Sequence, residues 1–215
     1  MDKVSFSNYS PFSNLAAVFA GKDIGELKTE IVRKAIHFLI ALTPSMAAVN
    51  RPLTVLILMI GTVGYTFMEY LRLSGVKIPV FSSLNKMASR PREAGRFVMG
   101  PVTLGLGALI ALLLYPSHVA SVAIYALAFG DGFASLVGKF FGKWRPAILY
   151  GKSVEGSFAC FTATLISAYA VSGNMRIAAI AAFTAMIVEA LPLKDYDNLV
   201  LPVTVGLTVQ FVFLV

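Results

Sequence analysis

Residues 124–141, IYALAFGDGFASLVGKFF, place one carboxylate in the middle of an apolar run. The run is long enough to cross a bilayer. A carboxylate near the bilayer centre costs on the order of 2.5–3.5 kcal/mol, so Asp131 needs a partner or a function. Gly130 and Gly132 leave it uncovered by neighbouring side chains. A structural salt bridge to another helix is the alternative to a catalytic role.

The composition of the whole chain agrees with a membrane protein. Of its 215 residues, 57% are hydrophobic and 13% are charged, about half the charged fraction of soluble domains. These values exclude an ordinary soluble fold and a disordered chain, and they predict an all-α, polytopic transmembrane helix bundle. The single cysteine excludes an internal disulfide framework. The net charge of +7 favours contact with lipid headgroups or phosphates, and nucleic acid is not an expected partner.

The apolar runs predict about seven spans of about 20 residues each. The predicted spans are 32–50, 53–72, 97–115, 117–141, 156–173, 175–191 and 198–215. Residues 1–30 are expected to form an N-terminal segment that lies in the membrane interface. Residues 31–215 are expected to form one transmembrane catalytic domain.

Charge is distributed unevenly between the predicted loops. With a cytoplasmic N-terminus, all basic residues except Arg51 and Arg176 fall on the cytoplasmic side, and an odd number of spans puts the C-terminus outside. The acidic residues fall on the cytoplasmic side as well, which the positive-inside rule does not require. Charges of both signs on one face predict a polar reaction chamber that opens to the cytoplasm.

Two charged blocks precede Asp131. Glu30, Arg33, Lys34 and His37 are spaced to form one stripe of a helix, for which snorkelling cations and a buried histidine are the structural alternative. Residues 90–96, RPREAGR, form a basic segment before the third span, and its usual interpretation is a loop at the lipid surface. Glu69 and Arg72 have the spacing of an ion pair at a helix end.

Two further blocks follow Asp131. Residues 151–157, GKSVEGS, place a lysine and a serine at a helix N-terminus, where backbone N–H groups and the helix dipole favour a phosphate. The segment is not a Walker A loop, because Pro146 occupies the position of the first glycine. Glu189, Asp195 and Asp197 supply oxygen ligands that suit Mg²⁺ bound together with substrate phosphates. Asp197 and Asn198 are also suited to cap the last helix.

In this order the blocks resemble the phytol kinase, dolichol kinase and CTP-dependent diacylglycerol kinase family of integral membrane lipid kinases. They are more distantly similar to phosphatidate cytidylyltransferases. The blocks that carry the resemblance are Glu30-x-x-Arg33-Lys34-x-x-His37, Glu69, Arg92-Glu93, Gly130-Asp131-x-x-Ala134-x-x-x-Gly138-x-x-x-Gly142, Lys152-Ser153-x-Glu155-Gly156-Ser157 and Glu189 followed by Asp197-Asn198 and Pro202.

The resemblance implies transfer of the CTP γ-phosphate to the hydroxyl of a membrane lipid, either diacylglycerol or an isoprenoid alcohol such as polyprenol or phytol, with Mg²⁺ or another divalent cation. The expected catalytic residues are Asp131, His37 and Glu93. The expected metal ligands are Asp131, Glu189 and Asp197. The expected nucleotide and phosphate ligands are Arg33, Lys34, Arg92, Arg96, Lys139, Lys152, Ser153, Gly156 and Asn198. Whether Asp131 or His37 is the base stays open.

Two other functions stay open at this stage. One is a phosphatidate cytidylyltransferase, and the other is a small transporter in which Asp131 and Glu69 relay protons. The compact chain favours a bacterial inner membrane with the active site facing the cytoplasm. The Gly138-x-x-x-Gly142 spacing suits either packing within the fold or a homodimer.

Overall fold

The computed structural model describes residues 24–76, 78–90, 93 and 95–214, and every regular element in these ranges is helical. The α-helices are α1 (Ile24–Phe38), α2 (Thr43–Leu73), α3 (Pro79–Ala88), α4 (Gly100–Leu114), α5 (Ser117–Tyr125), α6 (Gly132–Phe140), α7 (Val154–Ser172), α8 (Met175–Ala190) and α9 (Asp197–Leu214). Short 3₁₀ helices lie at Leu39–Leu42, Ala147–Leu149 and Lys194–Tyr196. A π-helix, Ala126–Asp131, joins α5 to α6. The predicted all-α class is confirmed.

Four helical stretches of the described chain are long and apolar enough to cross a membrane. They are Lys28–Leu73, Ser117–Phe140, Val154–Ser172 and Lys194–Phe213, and α4 is a shorter apolar helix. This finding supports a membrane protein. The count of seven spans and the sides of the two termini stay predictions. Most of the predicted segment 1–30 lies outside the described residues, and its described part, from Ile24, begins α1.

The boundary between the first two predicted spans is a kink inside α2. Asn50 has non-helical dihedral angles (φ −153°, ψ 95°), and its side-chain oxygen accepts a hydrogen bond of 3.0 Å from the Leu53 amide. Pro52 follows two residues after Asn50 and has no N–H to continue the helical hydrogen bonds. Asn50 thus acts as an N-cap for the second part of α2.

The second part of α2 runs antiparallel to α4. The Arg51 guanidinium donates to the carbonyls of Leu112 and Tyr115, at the C-terminal end of α4. The Glu69 carboxylate accepts from the Val98 amide, just before α4 begins, at 2.8 Å. Arg51 and Glu69 therefore lie at opposite ends of the bundle.

Helix α3 lies between the second and third predicted spans, where the sequence pattern predicts only a loop. The fully buried Glu69 carboxylate fixes its position. Asn85 of α3 donates to Glu69 at 2.6 Å, and Arg72 donates at 2.7 and 2.8 Å. The expected Glu69–Arg72 pair is thus present, and it also anchors α3 and the start of α4.

Small residues allow the central helices to pack closely. Ala108, Ala123 and Ala178 have no exposed surface and belong to one continuous core. Alanine and glycine at helix contacts let the backbones approach, which bilayer helices need because lipid supplies no hydrophobic driving force between them. The bundle therefore gives the polar end of the molecule a rigid base.

The predicted glycine stripe is used inside this chain. A methyl group on Gly138 would come within 3.0 Å of Ser153 Oγ, and one on Gly156 would come within 2.8 Å of the Ala134 carbonyl oxygen. Gly142 also faces Ser153. These residues hold α6 against the start of α7, and the homodimer stays a prediction.

Candidate functional site

A cavity of about 560 Å³ opens at the charged end of the bundle. It lies between α1, α6, the start of α7, the end of α8 and the start of α9. Its lining includes the cations Arg33, Lys34, Arg90, Lys139, Arg145, Lys152 and Lys194. Its lining also includes the acids Glu30, Asp131, Glu189, Asp195 and Asp197. Residues that are more than 160 positions apart in the sequence therefore meet in one cavity.

Asp131 lies at the buried floor of this cavity and is paired with Lys34. Lys34 Nζ donates to Asp131 Oδ2 at 2.6 Å and contacts the Asp131 carbonyl oxygen at 3.4 Å. The Asp131 side chain is 7% exposed and the Lys34 side chain is 3% exposed. Such a pair is strongly coupled, because removing either partner leaves an uncompensated charge out of water.

His37 lies beside Asp131 but does not line the cavity. Its Nε2 is 2.9 Å from the Leu127 carbonyl oxygen and 3.4 Å from Asp131 Oδ2. Because both neighbours are hydrogen-bond acceptors, Nε2 carries a proton and donates. Leu127 belongs to the π-helix, whose wider turn displaces carbonyls from the α-helical pattern. His37 therefore ties α1 to the turn that carries Asp131.

Glu30 forms the centre of a second charged cluster in the wall of the cavity. Its carboxylate is 2% exposed and lies 2.8 Å from Arg33, 3.3 Å from Arg90 and 3.8 Å from Lys139. These cations come from α1, from the segment after α3 and from α6. One buried carboxylate thus holds three cations towards the cavity.

The start of α7 is arranged differently from a simple phosphate loop. The Gly156 amide donates to Ser153 Oγ, the Ser157 amide donates to the Ser153 carbonyl, and the Val154 amide donates to the Trp144 carbonyl. These backbone groups already have partners, so phosphate binding here would depend on side-chain cations. Arg145 strengthens the loop by donating to the carbonyls of Gly151 and Gly138, at 2.5 and 2.7 Å.

Lys152 bridges from this loop to the end of α8. Its ammonium donates to the Glu189 backbone carbonyl and lies 3.1 Å from Glu189 Oε1. Glu189 Oε2 accepts from Ser157 Oγ at 3.2 Å. Both oxygens of Glu189, an expected metal ligand, are thus engaged by neighbouring side chains. In this arrangement Glu189 positions Lys152.

Asp197 and Asn198 complete the cavity from α9. Asp197 Oδ1 accepts from the Asn198 amide at 2.8 Å, and the Asn198 side chain donates to Thr103 Oγ1 of α4 at 3.1 Å. The charge of Asp197 interacts with those of Asp131, Lys152 and Lys34. Asp197 therefore lies close enough to the Asp131–Lys34 pair to interact with both of its charges.

The donor set fits a magnesium ion that arrives with a nucleotide. Among the described residues, no three acidic, histidine or cysteine side chains are grouped closely enough to hold a metal by themselves. Asp131 and Asp197 nevertheless face one cavity and repel each other electrostatically. Mg²⁺ characteristically needs only one or two carboxylates, because substrate phosphates and water supply the other ligands.

Some expected site residues lie away from the cavity lining. Glu93 accepts from the Arg90 amide at 2.8 Å and so shapes the segment that carries Arg90. The Arg96 carbonyl accepts from Arg72, which places Arg96 near the Glu69 anchor. Arg92 lies outside the described residues. The expected residues that do line the cavity are Arg33, Lys34, Asp131, Lys139, Lys152, Ser153, Gly156, Glu189, Asp197 and Asn198.

Arg90 and Arg145 line the cavity but were absent from the expected site. Arg90 begins the basic segment 90–96, from which the expected site includes Arg92, part of a block of the resemblance, and Arg96, but not Arg90. Arg145 lies in the loop after α6, and in the sequence its charge indicated only the orientation of the chain. Their proximity to Glu30 and to the Gly138 carbonyl depends on tertiary contacts that no local sequence pattern shows.

Proteins with similar sequences include a lipid kinase of the kind that the charged motifs resemble. No family model matches the chain, and no solved structure matches it. The CTP-dependent diacylglycerol kinase 1 of Schizosaccharomyces pombe is 28% identical over 155 residues, which cover 69% of this chain and 70% of that protein. An uncharacterised protein of Methanocaldococcus jannaschii is 27% identical over 184 residues, which cover 84% of this chain and 93% of that protein.

A plant protein named as a phytol kinase is also similar in sequence to this chain. The protein of Oryza sativa subsp. japonica named probable phytol kinase 1, chloroplastic, is 24% identical over 157 residues, which cover 65% of this chain and half of that protein. The expected resemblance is therefore confirmed. The chain is related by sequence to the family of CTP-dependent diacylglycerol kinases and phytol kinases.

Proposed function

We propose that this protein transfers the γ-phosphate of CTP to the hydroxyl of a membrane lipid alcohol. The observation that carries the proposal is the buried Asp131–Lys34 pair at the floor of a cation-lined cavity. The names of the relatives support the same reaction. We place the cavity on the cytoplasmic face of the membrane, because the basic residues of the predicted loops lie on that side. A bacterial inner membrane is the membrane we propose from the compact chain.

The side chains of the cavity suit the needs of phosphoryl transfer. That reaction depends mainly on positioning and on neutralising phosphate charge. Arg33, Arg90 and Lys139 form one set of cations around Glu30, and Lys152, held by Glu189, lines the same cavity from the loop before α7. The triphosphate would lie between these two sets. The γ-phosphate would then face Lys34 and Asp131.

Asp131 is our candidate for the proton acceptor. The lipid hydroxyl oxygen forms a bond to the γ-phosphorus, the bond from that phosphorus to the β-bridging oxygen breaks, and CDP leaves. The hydroxyl proton passes to the Asp131 carboxylate, and the Lys34 ammonium then pairs with the transferred phosphate. His37 holds the turn that carries Asp131, because its Nε2 already donates to the Leu127 carbonyl. Asp197 would hold Mg²⁺ together with the substrate phosphates, and the ion would neutralise phosphate charge when bound; if Asp131 is a metal ligand instead, it is not the proton acceptor.

Labelled nucleotides test this proposal directly. Purified protein would be incubated with Mg²⁺, with diacylglycerol, polyprenol, phytol or phosphatidate, and with CTP labelled in the γ-phosphate or in the α-phosphate. We expect γ-label in a lipid monophosphate and no α-label in lipid. Transfer of α-label with release of pyrophosphate would indicate a cytidylyltransferase instead. The absence of label in every lipid, with ATP as well as CTP, would contradict the kinase proposal and favour the transporter.

A further inference from the structure

The lipid alcohol must reach Asp131 from the bilayer, so the wall between Asp131 and the membrane decides where its chain lies. The two glycines beside Asp131 face different neighbours. A methyl group on Gly130 would come within 2.5 Å of Thr164 Oγ1 and 3.3 Å of Cys160 Sγ. Thr164 and Cys160 have no exposed surface. This side of Asp131 is closed by the fully buried core of α7.

The other side is closed by one aromatic ring. A methyl group on Gly132 would come within 2.8 Å of Phe38 Cζ, so the ring lies directly on the backbone next to Asp131. Phe38 is half-buried, at the C-terminal end of α1. A side-chain rotation can move a ring, whereas the α7 contact involves packed helices. Phe38 is therefore the most easily displaced part of the described wall around Asp131.

Phe38 continues into an apolar surface. Its ring centroid is 5.2 Å from that of Phe133 and 6.1 Å from that of Phe129. Phe133 is 43% exposed, and Leu39, directly after Phe38, is 62% exposed. In a helical membrane protein such a surface faces lipid chains. The aromatic cluster thus connects the bilayer with the buried carboxylate.

The geometry points to Phe38, Phe129 and Phe133 as the binding site for the hydrocarbon next to the hydroxyl of the lipid alcohol. This inference rests on the proposed kinase function and assigns the lipid side of its site. The hydrocarbon displaces the Phe38 ring from Gly132 and packs against Phe129 and Phe133, while the hydroxyl meets Asp131. Phe38 then selects between lipids by the width of the chain beside the hydroxyl.

Kinetics with Phe38→Ala and Phe38→Trp test the assignment. Phe183→Ala is the matched control, because Phe183 is 53% exposed, pairs with Phe161 at 4.9 Å and does not line the cavity. We expect each Phe38 variant to change the lipid KM about tenfold, with the ratio of KM values for phytol and diacylglycerol changed, and the CTP KM to stay within about twofold. The control should change neither KM. Unchanged lipid KM values in both Phe38 variants would overturn the assignment.

Thiol labelling gives a second measurement that does not need an active Phe38 variant. The lone Cys160 is fully buried, so an introduced cysteine supplies the accessible thiol. We expect phytol or diacylglycerol to protect Phe133→Cys, but not Phe183→Cys, from a membrane-soluble maleimide. Equal protection of both, or of neither, would overturn the assignment. A wild-type protein that transfers no labelled phosphate to any lipid would contradict the kinase function itself. If the wild type is active but the lipid KM values and the maleimide protection are unaffected as described, only the lipid site is contradicted.

Discussion

Asp131 and Lys34 show how single residues connect stability with chemistry in this protein. Each charge would be unfavourable at its buried position without the other, and their side chains are 2.6 Å apart. A salt bridge and a catalytic role were alternatives for Asp131 in the sequence, but the geometry contains a salt bridge that also faces the cavity. Mutations at this pair therefore have to be measured for folding and for transfer separately.

We expect Asp131→Asn to abolish lipid phosphorylation and to destabilise the protein. The amide cannot accept the hydroxyl proton, and it leaves the Lys34 ammonium uncompensated, which costs about 3–5 kcal/mol when a buried pair is broken. Thermal unfolding in detergent measures the loss of stability. The double variant Lys34→Met, Asp131→Asn should recover much of that stability without recovering activity. Full activity in Asp131→Asn would remove Asp131 from the mechanism.

His37 gives a prediction that separates a hydrogen-bond donor from a base. Because its Nε2 donates to the Leu127 carbonyl, His37→Gln can preserve a donor, whereas His37→Leu cannot. We expect His37→Leu to lower kcat about a hundredfold through misplacement of Asp131, and His37→Gln to retain most of it. Steady-state rates with saturating lipid and CTP make the comparison. Equal loss of activity in both variants would favour His37 as the base.

At the scale of helices, Glu69 fixes the arrangement of three elements. Its carboxylate binds Arg72 of α2, Asn85 of α3 and the Val98 amide before α4, and it has no exposed surface. It does not line the cavity. Its buried hydrogen bonds therefore explain why the chain carries this acid without a role in proton transfer.

We expect Glu69→Ala to lower the free energy of unfolding by about 3–5 kcal/mol, since it leaves the partly buried Arg72 and Asn85 without their shared acceptor. The folded fraction should keep its KM for CTP, because Glu69 does not line the cavity. Unfolding monitored by circular dichroism, with nucleotide kinetics on the same preparation, tests both parts. A proton relay through Glu69 would instead give a stable protein with lost activity.

The sequence predicts that the chain is helical and which charged residues lie near the membrane. It does not predict which of these residues contact each other. The spacing of Glu30, Arg33, Lys34 and His37 predicted one helical stripe, and these residues do lie on α1. The 97 residues that separate Lys34 from Asp131 carry no local signal of the pairing. The π-helical turn and helix α3 were missed for a related reason, since tertiary contacts from His37 and Glu69 stabilise them.

At the scale of the whole molecule, the two ends of the bundle differ in charge. Arg51 caps the end of α4 that lies opposite Glu69, whereas the cavity gathers charges of both signs. The predicted orientation places the cavity end in the cytoplasm. Exposed positions at both ends allow this orientation to be measured.

We expect Lys86→Cys and Lys143→Cys to react with a membrane-impermeant maleimide only from the cytoplasmic side. Arg176→Cys and His118→Cys should react only from the other side. Intact cells and inverted membrane vesicles give the two accessibilities, and the wild-type protein with its buried Cys160 is the control. Labelling of Lys86→Cys and Lys143→Cys from opposite sides would contradict the predicted topology.

The acids that hold the cavity's cations have a consequence for nucleotide exchange. Glu30, Asp131 and Glu189 keep basic side chains in place through oxygen atoms much like those of a phosphate. An arriving polyanion therefore meets cations that are already held in position, and it can bind their remaining N–H donors with little rearrangement of the cations. Between turnovers the same acids also reduce the electrostatic repulsion between the cations of the cavity.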